Sequence, residues 1–204
     1  MINSLKAIVS FFFMFCVVLN FAVQNNAYST VLPQPLNPGD KASDFTIKNY
    51  DNNSYTLSRS EGQATVIIFM STECPFVQPY TSRLTSLANE FSSKGITIWG
   101  MNSNNTEDVM TVANHAKSKA YPFPVLKDEN NMVADLFGSQ RTPEVFVVRN
   151  SDMVILYHGR IDDDRDESKV SSSDLRNALN EFILGKDITV KETKSFGCGI
   201  KRKS

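Results

Sequence analysis

The chain has 204 residues, and its 41% hydrophobic and 21% charged residues are typical of a globular protein. Its net charge of −1 argues against a nucleic-acid partner, because proteins of that class carry a basic surface that neutralises phosphates. The basic tripeptide Lys201-Arg202-Lys203 is too short to change this conclusion.

The first part of the chain has the pattern of a targeting segment. Lys6 is the only charged residue before an apolar run over 7–23, and the small residues Ala27 and Ser29 are spaced as in a signal-peptide cleavage site. Residues 1–29 are therefore predicted to be a signal peptide, and the protein is predicted to be periplasmic or secreted. The run is longer than a usual signal core, so an uncleaved membrane anchor is the alternative. The protein is expected to associate with a membrane only if this segment stays uncleaved.

Cleavage would leave two cysteines in the mature chain. Cys16 would be lost with the signal peptide, and Cys74 and Cys198 would remain in a compartment that permits disulfides. Whether these two thiols meet is therefore the main question that the sequence raises.

The predicted elements begin after a Pro-rich extended lead-in over residues 30–43. Alternating apolar residues predict strands over 44–47 and 54–57, and the polar residues 51–53 between them predict a turn. The segment Val66–Met70 is continuously apolar, which predicts a central strand buried on both faces.

A helix and a second central strand follow. Apolar residues at helical spacing predict a helix over 77–91, and the next apolar run predicts a strand over 96–101. A polar loop over 102–105 ends this strand, and Asn105 or Thr106 is predicted to cap the next helix.

The second half of the chain continues the alternation. The predicted elements are a strand over 124–126, a short helix over 132–137, strands over 144–148 and 154–157, and a last helix over 175–183. This order predicts an α/β fold with a parallel core and an antiparallel hairpin at one edge of the sheet. The domain is placed at 44–186, and a C-terminal tail that contains Cys198 is placed at 187–204.

Cys74 lies between the first central strand and the following helix. A helix N-terminus carries partial positive charge, which favours the thiolate of a cysteine placed there. Pro75 suits the first helical position, where a missing N–H group costs nothing. Glu73 would oppose ionisation of the thiol if its carboxylate pointed inward. A buried structural cysteine is the alternative interpretation.

Four segments carry a resemblance to a known family. They are Ser71-Thr72-Glu73-Cys74-Pro75-Phe76, Arg141-Thr142-Pro143-Glu144, Tyr157-His158-Gly159-Arg160-Ile161-Asp162 and Phe196-Gly197-Cys198-Gly199-Ile200-Lys201. With the element order, they resemble the thioredoxin-like superfamily. The resemblance is to its redoxin (AhpC/TSA-type) branch, which includes peroxiredoxins and extracytoplasmic thiol-disulfide proteins. It implies a thioredoxin-like fold, with a central mixed β-sheet flanked by helices, an N-terminal β-hairpin and a C-terminal cysteine-containing tail.

The resemblance gives Ser71 two interpretations. Peroxiredoxins carry a Thr or Ser three residues before the reactive cysteine, where it hydrogen-bonds the sulfur or the peroxide. Ser71 occupies that position, although an ordinary helix cap is an equal alternative. Peroxiredoxins also carry a proline four residues before that Thr or Ser, and this chain has Ile67 there. The match to a peroxidase is therefore incomplete.

The resemblance also nominates binding residues. Thr142-Pro143 matches the cis-proline loop that faces the active-site thiol in thioredoxins, where the residue before the proline offers its backbone to a substrate polypeptide. Arg141 is a candidate partner for an anion or a thiolate, with a solvated loop arginine as the alternative. Asn102, Ser103 and Asn104 are candidate site residues because ligands bind at the carboxyl ends of strands in open α/β sheets, with a simple polar loop as an equal alternative.

Cys198 is the candidate second thiol. Glycines on both sides give its sulfur the freedom to move that a resolving cysteine needs. A fixed disulfide with Cys74 would instead fasten the tail to the domain. Intermolecular pairing and two free thiols are the remaining alternatives.

No cofactor or metal is expected, although two metal alternatives exist. Met70 and Cys74 loosely resemble a Cu(I)-chaperone motif to which His115 or His158 would be added, but core and surface positions explain these residues better. The acidic run 162–167 does not have the spacing of an EF-hand loop, which favours a solvated turn over a calcium site.

The expected function is that of a thiol-dependent oxidoreductase in which Cys74 is the reactive thiol and Cys198 resolves it. Its partners would be a peroxide, or a protein thiol or disulfide, together with an external thiol reductant. The sequence leaves peroxide reduction and thiol-disulfide exchange open. A non-enzymatic, disulfide-stapled binding module is the alternative from another class.

Overall fold

The computed structural model describes residues 33–203, so the predicted signal peptide and its cleavage site lie outside the described residues. The strands are β1 Thr46–Lys48, β2 Ser54–Thr56, β3 Ala64–Phe69, β4 Ile96–Asn102, β5 Val125–Lys127, β6 Arg141–Thr142, β7 Glu144–Arg149, β8 Val154–Gly159 and β9 Cys198–Gly199. The α-helices are α1 Thr81–Ser92, α2 Val109–Lys119, α3 Met132–Phe137 and α4 Asp174–Ile183.

A five-stranded mixed sheet forms the centre of the fold, in the order β5-β4-β3-β7-β8. Strands β3, β4 and β5 are parallel, whereas β7 pairs antiparallel with both β3 and β8. The parallel core and the antiparallel hairpin at one edge are confirmed. The predicted N-terminal hairpin is also confirmed, because β1 and β2 pair antiparallel around the turn at 51–53.

Strand β3 separates two apolar cores. Val66 and Ile68 face the core that contains the apolar residues of α1 and α4. Ile67 and Phe69 face the opposite core, which contains Trp99 and the apolar residues of α3. Every residue of β3 is buried, as a continuous apolar run predicts for a strand covered on both faces.

The start of α1 differs from the prediction. Pro75 lies in a turn, a short 3₁₀ helix spans Gln78–Tyr80, and α1 begins only at Thr81. The prediction that Pro75 occupies the first position of an α-helix was therefore wrong. The prediction that Asn105 or Thr106 caps the next helix was also wrong. Asp108 caps α2, because its side chain accepts a hydrogen bond from the Thr111 N–H at 2.7 Å.

Both flanking segments pack onto the sheet. In the lead-in, the Leu36 N–H donates to the Phe137 carbonyl at 3.0 Å, and the Ala42 N–H donates to the Met153 carbonyl at 2.8 Å. In the tail, β9 forms a two-stranded antiparallel sheet with β6, which the absence of hydrophobic periodicity did not predict. Among residues 33–203, no helix has the length and apolar character that crossing a membrane requires.

Candidate active site

The candidate site lies where β3 and β4 end side by side. Cys74 follows β3 in a tight turn, in which the Val77 N–H donates to the Cys74 carbonyl at 3.0 Å. The Cys74 side chain is only 2% exposed, whereas Cys198 is partly exposed. Glu73 is exposed, so the inward carboxylate that would oppose ionisation of the thiol is not seen.

The tail brings the second cysteine to the first. Pairing of β9 with β6 places Cys198 opposite Thr142 and Gly199 opposite Arg141. The sulfur atoms of Cys74 and Cys198 are 2.6 Å apart, although 124 residues separate them in the sequence. Both are free cysteines in the structure.

The cis-proline loop faces the same thiol. The Thr142–Pro143 peptide bond is cis, and the Cys74 sulfur lies 3.2 Å from the Thr142 carbonyl oxygen. Thr142 and Pro143 are both buried. The expected arrangement of this loop opposite the thiol is therefore confirmed, and the strand that occupies its edge is the protein's own tail.

Ser71 supports the turn that contains Cys74. Its hydroxyl oxygen accepts hydrogen bonds from the N–H groups of Glu73 and Cys74, both at 3.1 Å. The hydroxyl itself donates to the Glu107 carboxylate at 2.5 Å. A serine hydroxyl has a single proton to donate. In this arrangement the proton points to Glu107 rather than to the Cys74 sulfur.

Glu107 is the site residue that the sequence analysis missed. Its carboxylate is 1% exposed and accepts four hydrogen bonds. The donors are the Ser71 hydroxyl, the Thr72 N–H group and the side-chain amides of Asn102 and Asn104. The sequence did contain one indication of this role. Glu107 follows the polar loop at the end of β4, and because neighbouring parallel strands end at the same edge of a sheet, this loop is expected to lie near the turn that follows β3.

The two thiols differ in acidity. Burial acts to raise the pKa of Cys74, but hydrogen bonds, of which that from the Cys198 side chain is the largest, outweigh it, and the pKa is lowered from 9.0. Burial and the neighbouring Cys74 raise the pKa of Cys198 to about 11. Cys74 is therefore the first of the pair to become a thiolate as the pH rises.

The pKa of Glu107 is also shifted. Burial alone would raise it, but the hydrogen bonds from Ser71, Asn104 and Thr72 lower the pKa below the usual 4.5. The Lys127 ammonium donates to the Asn102 side-chain oxygen at 3.2 Å, which extends the network to β5. Glu107 is therefore an ionised acceptor at neutral pH.

A second buried carboxylate supports the cis-proline loop from behind. Glu144 accepts hydrogen bonds from the Ser139 hydroxyl at 2.7 Å and from the Gln140 N–H at 2.8 Å. Its other oxygen lies 2.8 Å from Nε2 of His158, which is buried and stacks on Phe146. Burial acts to raise the pKa of Glu144, but hydrogen bonds from His158, Gln140 and Ser139 lower it below 4.5.

The remaining candidate residues differ in their burial and in the contacts that they make. Asn102 is buried and joins the site through Glu107, whereas Arg141 is exposed and its guanidinium lies 3.5 Å from the Gly197 carbonyl oxygen. Asp162, from the acidic run, pairs with Arg83. Within residues 33–203, no group of three or more His, Cys, Asp or Glu side chains is arranged to hold a metal.

The chain is similar in sequence to known oxidoreductases. The thiol-disulfide oxidoreductase ResA of Halalkalibacterium halodurans is 23% identical over 120 residues, which cover 59% of this chain and 67% of ResA. The chloroplastic peroxiredoxin Q of Populus jackii is 25% identical over 145 residues, which cover 67% of this chain and 64% of that protein.

Solved structures show the same fold. The crystal structure of a hypothetical protein of Sinorhizobium meliloti is 30% identical, has a TM-score of 0.77 and covers 84% of this chain and 97% of its own. The thioredoxin domain of a thiol-disulfide oxidoreductase of Bacteroides vulgatus shares the fold at 18% identity, with a TM-score of 0.59, and covers 72% of this chain and 99% of its own. The model of the AhpC/TSA family matches residues 38–162, from the lead-in to the end of the Tyr157–Asp162 motif. The chain therefore belongs to the AhpC/TSA family.

Proposed function

We propose that Cys74 and Cys198 are the redox pair of a thiol-disulfide exchange reaction on a polypeptide substrate. The chain is a thiol-dependent oxidoreductase of the redoxin type. The observation that carries the proposal is the position of the Cys74 sulfur, 2.6 Å from Cys198 and 3.2 Å from the Thr142 carbonyl oxygen. The name of the relative ResA, a thiol-disulfide oxidoreductase, supports the same reaction.

The reaction has two exchange steps. The Cys74 thiolate attacks one sulfur of a substrate disulfide, and the other substrate sulfur leaves as a thiolate. The Cys198 thiolate then attacks the Cys74 sulfur of this mixed disulfide, which releases the second substrate sulfur and forms the Cys74–Cys198 disulfide. An external thiol reductant returns the pair to two thiols. Because Cys74 is 2% exposed, β9 must move away from β6 before a substrate can reach the sulfur.

One feature argues for exchange over peroxide reduction. In the peroxidase reaction, Cys74 would become a sulfenic acid that Cys198 resolves, and Ser71 would hydrogen-bond the sulfur or the peroxide. The Ser71 hydroxyl instead donates to Glu107. The proposed redox residues are Cys74 and Cys198, and Ser71 supports the turn that contains Cys74. The other proposed site residues are the loop of Arg141, Thr142 and Pro143, and Asn102. The reaction needs no metal or cofactor.

The location of the protein is part of the proposal. The apolar run over 7–23 and the cleavage pattern at Ala27 and Ser29 support export of the protein. Outside the cytoplasm it would meet proteins with disulfides, because these compartments are oxidising. The external reductant would then be a thiol protein of the same compartment.

The test compares two substrates with the same protein. The full-length chain is assayed for reduction of insulin disulfides with dithiothreitol and, separately, for consumption of hydrogen peroxide. We expect insulin reduction that Cys74→Ser abolishes, together with a Cys74–Cys198 disulfide in a non-reducing peptide map. Peroxide consumption without insulin reduction would show a peroxidase. No activity on either substrate, with a permanent Cys74–Cys198 disulfide, would show a stapled binding module.

A further inference from the structure

A chain of hydrogen bonds joins the turn that contains Cys74 to the tail that contains Cys198. On one side, the Glu107 carboxylate holds Ser71 at 2.5 Å and the Thr72 N–H at 2.7 Å, which fixes the residues that precede Cys74. On the other side, it accepts from the Asn104 side-chain amide at 2.6 Å. Both sides therefore depend on one buried carboxylate.

Asn104 carries the connection into the tail. Its side-chain oxygen accepts the Lys201 N–H at 2.8 Å, and the neighbouring Asn105 N–H donates to the Lys201 carbonyl at 2.8 Å. Lys201 lies three residues after Cys198, and the Ile200 N–H between them donates to the Gln140 carbonyl at 2.9 Å. These contacts determine where β9 lies along β6, and hence where the Cys198 sulfur lies.

We propose that Glu107 is a positioning residue that holds Cys74 and Cys198 in register for disulfide formation. This inference rests on the proposed redox pair. Neither cysteine sulfur is among the four donors to Glu107, so Glu107 acts through Ser71 and Thr72 on one side and through Asn104 on the other.

Only a carboxylate satisfies the donors that surround Glu107. Two donors, Ser71 and Asn104, point to one oxygen, and two others, Thr72 and Asn102, point to the other oxygen. A glutamine would present its NH₂ group to one of these two pairs, which leaves donors facing a donor. Burial makes that mismatch costly, because water cannot replace the lost acceptor.

Neither asparagine can turn over without breaking another contact. If Asn104 turned its oxygen towards a glutamine NH₂ group, the Lys201 N–H would lose its acceptor and the tail would lose its register. If Asn102 turned, the Lys127 ammonium would lose its contact with the side-chain oxygen, and the Thr72 N–H would still face a donor. A change at Glu107 is therefore transmitted to at least one of the two cysteine segments.

The test is a glutathione titration of the full-length chain carrying Cys16→Ser, in which Cys74 and Cys198 are the two thiols left to be oxidised. Glutathione disulfide oxidises the two protein thiols and is itself reduced to two glutathione molecules, and the fraction of disulfide gives the redox potential of the pair. We expect Glu107→Gln to lower the equilibrium constant for disulfide formation about tenfold. The matched control is Asp174→Asn, a buried carboxylate of α4 whose partners are Arg160 and Ser172.

A second variant separates the two sides of the network. Asn104→Ala removes the connection to the tail and one of the four donors to Glu107, but it leaves the hydrogen bonds of Ser71 and Thr72 to the carboxylate in place. It is therefore expected to lower the same constant and to change the alkylation rate of Cys74 in a Cys198→Ala background less than Glu107→Gln does. Glu107→Gln is expected to change both quantities. An unchanged constant in Glu107→Gln, or an equal fall in Asp174→Asn, would overturn the positioning role. If the chain with intact Cys74 and Cys198 forms no disulfide at all, the proposed redox pair itself is wrong.

Discussion

Thr142 pairs with Cys198 across β6 and β9, so the residue before the cis-proline is covered by the protein's own tail. The thioredoxin resemblance assigns this backbone edge to a substrate polypeptide. The tail therefore occupies the position proposed for the substrate, and it presents a cysteine to Cys74 from there. If the proposed function is right, a substrate that docks on this edge would displace β9 and separate the two thiols.

The two glycines beside Cys198 should respond differently to substitution. Gly197 has a φ of +145°, and a Cβ there would lie 2.1 Å from the Thr142 carbonyl oxygen. Because backbone atoms block the methyl group, Gly197→Ala is expected to disfavour the Cys74–Cys198 disulfide by about 1–3 kcal/mol. Glutathione titration of the full-length chain that also carries Cys16→Ser measures this change.

Gly199→Ala is the matched control for that experiment, because a Cβ at Gly199 would meet nothing within 4 Å. Its disulfide equilibrium should stay close to that of the unmodified chain. Equal effects of the two alanines would contradict the close approach of Gly197 to Thr142 as the reason.

Removal of the second thiol should make Cys74 a weaker acid. Although burial acts to raise the pKa of Cys74, hydrogen bonds, with that from the Cys198 side chain the largest, lower it from 9.0. In Cys198→Ala this donor is lost, so the midpoint of the pH dependence of iodoacetamide alkylation should move to higher pH. Cys198→Ser keeps a hydroxyl donor and should show a smaller shift. An unchanged midpoint in the alanine variant would show that the Cys198 side chain is not the donor that lowers the pKa of Cys74.

Loss of the Glu144 carboxylate should destabilise the fold. Glu144→Gln weakens buried hydrogen bonds to Ser139, Gln140 and His158, and we expect the free energy of unfolding to fall by about 2–3 kcal/mol. Urea denaturation measures the change. Asp152→Asn is the control, because this exposed carboxylate pairs with Arg149 at the surface, where solvent screens the pair, and its loss should leave the free energy of unfolding nearly unchanged.

The effect of Glu144 should also depend on pH. Despite burial, hydrogen bonds hold its folded-state pKa below 4.5. The carboxylate therefore stabilises the fold fully above pH 4.5, and this contribution is lost as the pH falls through the lower folded-state pKa. The difference in unfolding free energy between the original chain and Glu144→Gln should shrink on acidification below pH 4.5. A difference that stays constant across this range would show that ionisation of Glu144 is not its cause.

Arg141 should matter little for the thiols. Its side chain is exposed and makes one contact with the Gly197 carbonyl at the hydrogen-bond limit of 3.5 Å. Arg141→Ala is therefore expected to change the free energy of unfolding by about 0.5 kcal/mol or less and to leave Cys74 alkylation unchanged. A large fall in the alkylation rate would assign Arg141 a direct role beside the thiolate.

Local patterns were enough to predict most of the fold. The continuous apolar run of β3, the helical spacing of α1 and α4, and the alternation of strands and helices depend on neighbours within a few residues, and the structure agrees with them. The predicted start of α1 was wrong because turn and 3₁₀ geometry after Pro75 compete closely with the first turn of an α-helix. The position after a central strand nominated Cys74, whereas the family resemblance nominated Ser71 and the Thr142-Pro143 loop.

The sequence by itself therefore determined the fold class, the position of Cys74 after a central strand and the family motifs. Only the tertiary structure decided that Cys74 and Cys198 lie side by side, because that contact closes a loop of 124 residues through β6 and β9. The same is true of Glu107, whose four hydrogen-bond donors come from the ends of two parallel strands. A buried carboxylate acquires its role from the donors that surround it. Two of these donors, Ser71 and Thr72, lie 36 and 35 positions before Glu107 in the sequence, so only the fold brings them to it.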